Sequence, residues 1–103
     1  MRDEAWQPAV EAGPDGLTPF QQQTLERLRL AVKGISLQQY GPGQGEAYLK
    51  GPLPGTEATV FVYTDGAEIC VGSKTLFSGE RWDYVSPDEL IESFVSAVRN
   101  NAT

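Results

Sequence analysis

Few side chains in this chain have the type and spacing for chemistry. Cys70 is its only thiol, and it has no histidine. Of the carboxylates that fall close together, Asp65 with Glu68 and Glu80 with Asp83 are the pairs to weigh, since Asp88 and Glu89 are accounted for by a helix start. Without imidazole there is no Ser–His or Cys–His nucleophile pair and no histidine proton shuttle. Imidazole zinc sites are excluded too, and a single thiol cannot build a four-cysteine site. Acid–base work by two carboxyls needs one with a raised pKa beside an ionised partner in a cleft. Asp65 is accounted for by its place before Gly66 in a turn. Glu80 and Asp83, which flank Arg81, read as surface charges or a local ion pair. Cys70 lies near Glu68, whose charge opposes a thiolate, so it reads as a small apolar residue and not as a nucleophile.

Two glycine-containing stretches imitate ligand loops. Gly72-Ser73-Lys74-Thr75 has serine where a phosphate loop needs glycine before its lysine, and strand residues follow it in place of a helix. It reads as a hairpin turn. Gly41-Pro42-Gly43-Gln44-Gly45 opens no helix, and its proline removes an amide donor, so it reads as a plain loop. Asn101-Ala102-Thr103 matches a glycosylation sequon by chance.

The elements that must position these residues are written in capping and alternation. Thr18-Pro19-Phe20-Gln21 is a helix start, with Thr18 as cap, Pro19 at the first helical position and Gln21 closing a capping box. The helix is expected near 19–33. Its inward stripe holds Leu25, Leu28 and Val32, with Phe20 at the edge and Leu30 outward. Val85-Ser86-Pro87-Asp88-Glu89-Leu90 starts the second helix, with Val85 and Leu90 as a hydrophobic staple. Its apolar arc is Leu90, Ile91, Phe94, Val95, Ala97 and Val98.

Between the helices lie strands. Ile35–Gln38 alternates and can form a short one, and Glu46–Lys50 forms another. Pro52 and Pro54 interrupt that strand, because proline cannot sit in a central ladder. Ala58–Val71 reads as a hairpin about an Asp65-Gly66 type I′ turn. That turn pairs Tyr63 with Glu68, Val62 with Ile69 and Phe61 with Cys70. One face is then Val60, Val62, Ile69 and Val71, and the other is Phe61, Tyr63, Glu68 and Cys70. A last strand runs from Thr75 to about Trp82, with a bulge at Gly79. Short sequential connections favour an antiparallel meander of three to five strands. Both helices are expected on its aliphatic face, making a two-layer α+β sandwich over residues 17–103. Residues 1–16, with Pro8, Gly13, Pro14 and Gly16, read as a flexible leader. Trp6 is either exposed there or folded back onto an apolar spot.

The chain has 103 residues, 14 acids and 8 bases, for a net charge of -6. The acids concentrate in residues 1–16 and 57–103. This balance disfavours nucleic acid and anionic membrane as partners. No apolar run approaches the ~20 residues that span a bilayer, and Met1–Val10 lacks a signal-peptide pattern. The expected location is cytoplasmic, for a whole protein or a domain of a longer one. No cofactor is expected.

The expected function is a non-catalytic protein-binding module, an inhibitor or adaptor. Its face would be Phe61, Tyr63, Glu68, Cys70 and Trp82, rimmed by acids that select a basic protein, or else used for self-association. In size, acidity and helix–sheet–helix order the chain resembles bacterial toxin-neutralising immunity proteins and, less closely, acidic secretion chaperones. The alternative is a dimeric small-molecule-binding or histidine-free enzymatic domain. Its site would lie near loop 41–55, with Tyr48, Tyr63, Glu68, Glu80 and Asp83 as polar groups.

Overall fold

The computed structural model describes residues 2–41, 43 and 46–102, so part of the 41–45 loop and the last residue of the sequon lie outside the described residues. The order is helix α1 (Arg2–Trp6), a 3-10 turn (Gln7–Val10), helix α2 (Pro19–Ala31), strands β1 (Gln38–Tyr40), β2 (Tyr48–Pro52), β3 (Thr59–Val62), β4 (Gly66–Val71) and β5 (Lys74–Glu80), a second 3-10 turn (Arg81–Asp83), and helix α3 (Pro87–Asn101). The five strands form one antiparallel sheet in sequential order. The fold is the expected α+β meander, with the helices on one face.

That face is built by alternation. Leu49, Val60, Val62, Ala67 and Ile69 are buried together with Leu28 of α2 and Leu90, Ile91, Phe94, Val95 and Val98 of α3. Phe77 joins them from β5, its ring 5.7 Å from that of Phe94. Gly79 is glycine because α3 lies directly on it: a Cβ there would stand 2.6 Å from Leu90 Cδ1. The bulge expected at Gly79 falls instead at Leu76, since Ile69 pairs with Phe77 and Cys70 with Thr75.

Helix α2 starts as its sequence dictates, with Thr18 and Gln21 forming the reciprocal capping box. Its buried side is Phe20, Gln21, Thr24 and Leu28. The expected stripe faces inward, with Leu28 and Val32 buried and Leu25 half buried against the core, and Phe20, Gln21 and Thr24 extend it at the N-terminal end. Gln21 does more than cap. Its Oε1 accepts from Thr18 N at 2.8 Å while its Nε2 donates to the carbonyls of Ala47 (2.8 Å) and Val62 (3.3 Å). This buried amide ties the helix to β3 and to the residue just before β2. Trp6 is the folded-back tryptophan of the two readings: it is 1% exposed, its ring lies 5.4 Å from that of Phe20, and its Nε1 donates to Tyr84 O at 3.2 Å.

Four local readings need correction. The β3–β4 hairpin pairs Val62 with Ala67, Phe61 with Glu68 and Val60 with Ile69, two residues away from the expected register. The turn centres on Thr64-Asp65, closed by Tyr63 N donating to Gly66 O at 2.7 Å. Gly66 does not take a positive φ; it is required because a Cβ would stand 2.8 Å from the Gly79 carbonyl oxygen. Strand β1 starts at Gln38 and not at Ile35, because Ile35 is drawn into the core just after α2. Strand β2 runs through Pro52, which pairs only with β3 since β1 reaches no further than Lys50. The staple of Val85 on Leu90 is absent: Val85 is 56% exposed, and Tyr84 packs against the core instead. Ser86 still caps α3, and Glu89 Oε2 accepts from Val85 N at 3.0 Å.

Candidate functional site

The opposite face of the sheet carries the candidate site. Strand parity places Tyr40 (β1), Tyr48 and Lys50 (β2), Phe61 (β3), Glu68 and Cys70 (β4) and Ser78 (β5) on this side, with Tyr63 just beyond β3. The three helices bury the other side. The rings run in sequence across the strands. Tyr40 stacks on Tyr48 with centroids 5.2 Å apart, Tyr48 meets Tyr63 at 6.0 Å, and Tyr63 stacks on Phe61 at 6.0 Å. The Lys50 ammonium leans into this ladder, 5.9 Å from the Tyr40 centroid and 5.6 Å from that of Phe61. A cation held over aromatic faces gains from their quadrupoles.

Beside the rings, Glu68 gathers two donors. Its Oε1 accepts from the Cys70 thiol at 3.3 Å and from the Tyr63 hydroxyl at 3.5 Å. Burial, then the Glu68 charge, pushes the Tyr63 hydroxyl up to about 12. Burial and the hydrogen bond to Glu68 also raise the Cys70 thiol above its ordinary value. Near neutral pH both groups stay protonated and donate to the carboxylate, an arrangement suited to holding Glu68 in place.

Four of the five expected face residues, Phe61, Tyr63, Glu68 and Cys70, come together here. Trp82 stands apart from them in the Arg81–Asp83 turn, 55% exposed, with the Arg81 guanidinium 4.6 Å over its ring. Phe77 turns to the helix side because it pairs with Ile69. Tyr40 and Lys50 are the residues that sequence reasoning missed. Lys50 lies two residues from Tyr48 in the same strand, and that spacing puts both on one face. Tyr40 was missed because β1 was expected to end before it.

The acids do not surround the face. Glu68 and Glu80 lie on β4 and at the end of β5. Glu46 accepts from the Thr64 hydroxyl at 2.9 Å near the β3–β4 turn, and Asp65 in that turn lies 3.9 Å from Arg81 Nε. The β2 side carries Lys50. Glu80 and Asp83 are joined locally, with Glu80 N donating to Asp83 Oδ2 at 3.3 Å.

Two depressions open on this face. One of about 430 Å³ is lined by Gln38, Tyr40, Lys50, Pro52 and Thr59 among others. A smaller one of about 150 Å³ is lined by Tyr63, Gly66, Glu68, Ser78 and Glu80 among others. Of the polar groups considered for a small-molecule site, Tyr63, Glu68 and Glu80 line the smaller one, while the larger lies beside the 41–55 segment at Lys50, Gly51 and Pro52 and holds none of them. Among the described residues no group of three or more cysteine, aspartate or glutamate side chains is placed to hold a metal ion. No helix among them is long and apolar enough to cross a membrane. Gly72-Ser73 forms the β4–β5 turn, with Gly72 at φ +59° as a tight hairpin requires.

Comparison with protein-family models, with curated proteins and with solved structures finds no match to this chain.

Proposed function

We propose that this chain is a non-catalytic protein-binding module, an inhibitor or adaptor, that engages its partner through the open sheet face. The observation that carries the proposal is the unbroken ring ladder Tyr40–Tyr48–Tyr63–Phe61 on a face opposite all three helices. Contiguous apolar and aromatic surface on this scale is characteristic of interaction sites, and tyrosine is favoured at their centres. Tyr63 and Cys70, both kept protonated and donating to Glu68, support binding over chemistry, since neither offers a ready nucleophile. Lys50 on one side and Glu68 on the other give the face a direction. It fits a protein surface that carries apolar groups between charges in the reverse order.

The test compares affinity capture by the wild-type chain and by the Phe61→Ser/Tyr63→Ser variant. The expected result is a protein retained by the wild type, further copies of the chain included, and lost with the double variant. The denaturant midpoint of that variant should stay near the wild-type value, because both side chains lie outside the core. Equal retention by both chains would sink the proposal.

A further inference from the structure

We infer that the occupant of the open face is a second copy of this chain, packed face to face about a two-fold axis along β3. This rests on reading that face as a protein-binding surface, and it adds the identity of the partner.

The argument starts from the register. Lys50, Phe61 and Glu68 are direct neighbours across β2, β3 and β4. Adjacent strands lie about 4.8 Å apart, so the backbones that carry the cation and the anion stand about 10 Å apart with Phe61 on the strand between them. Among the described residues neither Lys50 nor Glu68 takes part in an ion pair. A row ordered plus, aromatic, minus is complementary to its own copy. When the copy is turned about an axis along the central strand, Lys50 falls opposite the second copy's Glu68, Glu68 falls opposite its Lys50, and Phe61 meets Phe61. An axis across the strands would set lysine against lysine and glutamate against glutamate, which costs affinity. The charges therefore select one of the two face-to-face orientations.

The same operation carries the β1–β2 half of one face, which holds Tyr40, Tyr48 and the larger depression, onto the β4–β5 half of the other. That half holds the depression of about 150 Å³ lined by Gly66, Glu68, Ser78 and Glu80. In the register map Tyr48, Tyr63 and Gly66 occupy one row, so Tyr48 meets the second copy at the strand position that lacks a side chain. Twisted sheets cross at about 30°, which an axis about 15° off β3 provides while leaving each lysine within reach of its glutamate. A five-strand face of short strands projects roughly 400 Å², small for a permanent interface. The dimer is accordingly reversible, with dissociation in the micromolar range.

The experiment is sedimentation of the full chain from about 1 to 300 µM, the range that brackets such an affinity. Four samples accompany the wild type: Lys50→Glu, Glu68→Lys, an equimolar mixture of those two, and the Lys50→Glu/Glu68→Lys double variant. Circular dichroism melts confirm that each folds. The wild type is expected to dimerise, and each single reversal to weaken dimerisation more than tenfold. The mixture restores it, because one chain then carries acids at both positions and the other carries bases at both, so every heterodimer sets opposite charges face to face. The double variant restores it by exchanging the two signs within each chain. A wild type monomeric throughout overturns the self-association. If capture of another protein still depends on Phe61 and Tyr63 in that case, the binding face stands while the dimer falls. A wild-type dimer indifferent to both reversals places its interface elsewhere and overturns the proposal, as does a mixture that stays monomeric.

Discussion

Trp6 and Trp82 are the chain's two indoles, and the fold gives them opposite surroundings. Trp6 fills the space beside Phe20 and uses its only polar atom on the Tyr84 carbonyl. Trp6→Ala should therefore cost about 3–5 kcal/mol by leaving a cavity. Trp82→Ala should cost clearly less, because its side chain is 55% exposed and leaves no cavity. Urea unfolding of both variants separates the two cases. Tyr63 allows a second test, based on protonation. Its hydroxyl is raised to about 12 in the folded chain, against about 10 for an unfolded tyrosine. The folded state then holds a proton that the unfolded state releases. This contribution is complete below about pH 10 and is lost as pH rises toward 12. Phenolate absorbance should show one of the four tyrosines titrating late. Glu68→Gln should move that titration part of the way back, leaving the share due to burial. Thermal melts of Tyr63→Phe should show a shallower fall in stability over the same window.

At the scale of elements, what was legible was what is local. Thr18, Pro19 and Gln21 mark the start of α2, and Ser86 and Pro87 that of α3, because capping is decided within four residues. The faces of the β3–β4 hairpin were also legible although its register was not. The pairing is displaced by two residues, and with a side-chain period of two an even displacement returns each residue to its expected face. The Asp65-Gly66 signal misled because Gly66 answers to the backbone of β5, a long-range contact that no turn rule contains. Tyr40 was lost with the ends of β1 for the same reason, since Ile35 was claimed by the core. The bonds from Gln21 to β3 and to the residue just before β2 were equally hidden, because only its capping half is local. Gln21→Leu should cost about 2–4 kcal/mol, as it leaves buried partners on Thr18, Ala47 and Val62 without their bonds. Gln22→Leu, one residue on and exposed, should be within about 0.5 kcal/mol of wild type. A comparable loss in both variants by denaturant melt would show that the strand bonds add nothing.

Over the whole molecule, the net charge of -6 and the proposed dimer pull in opposite directions, and distance decides between them. Glu26 of α2 and Asp88, Glu89 and Glu92 of α3 lie on the helix layer, outside the core. In a face-to-face dimer the two helix layers point outward, so these acids, with the exposed Arg27, Arg29 and Arg99 beside them, are the most widely separated charges in the assembly, and the repulsion is that of the two chains' whole net charges. Lys50 and Glu68 lie at its centre and approach their opposites closely. The screening length is about 30 Å at 0.01 M salt, comparable with the molecule's own extents of 36 × 29 × 27 Å. At 0.15 M it is about 8 Å, shorter than the gap between the helix layers but not shorter than the central pairs. Raising salt from about 0.01 to 0.15 M should therefore tighten the dimer several-fold by removing the repulsion. Salt near 1 M, with a screening length of about 3 Å, should begin to loosen it by reaching the pairs. The Lys50→Glu/Glu68→Lys variant has the same net charge and the same pairs, so it should follow the same rise and fall. Sedimentation equilibrium across this range measures it. A dimer that only weakens from the lowest salt upward would mean that its attraction is long-ranged. A row of three residues on one sheet face could not supply that against so acidic a chain.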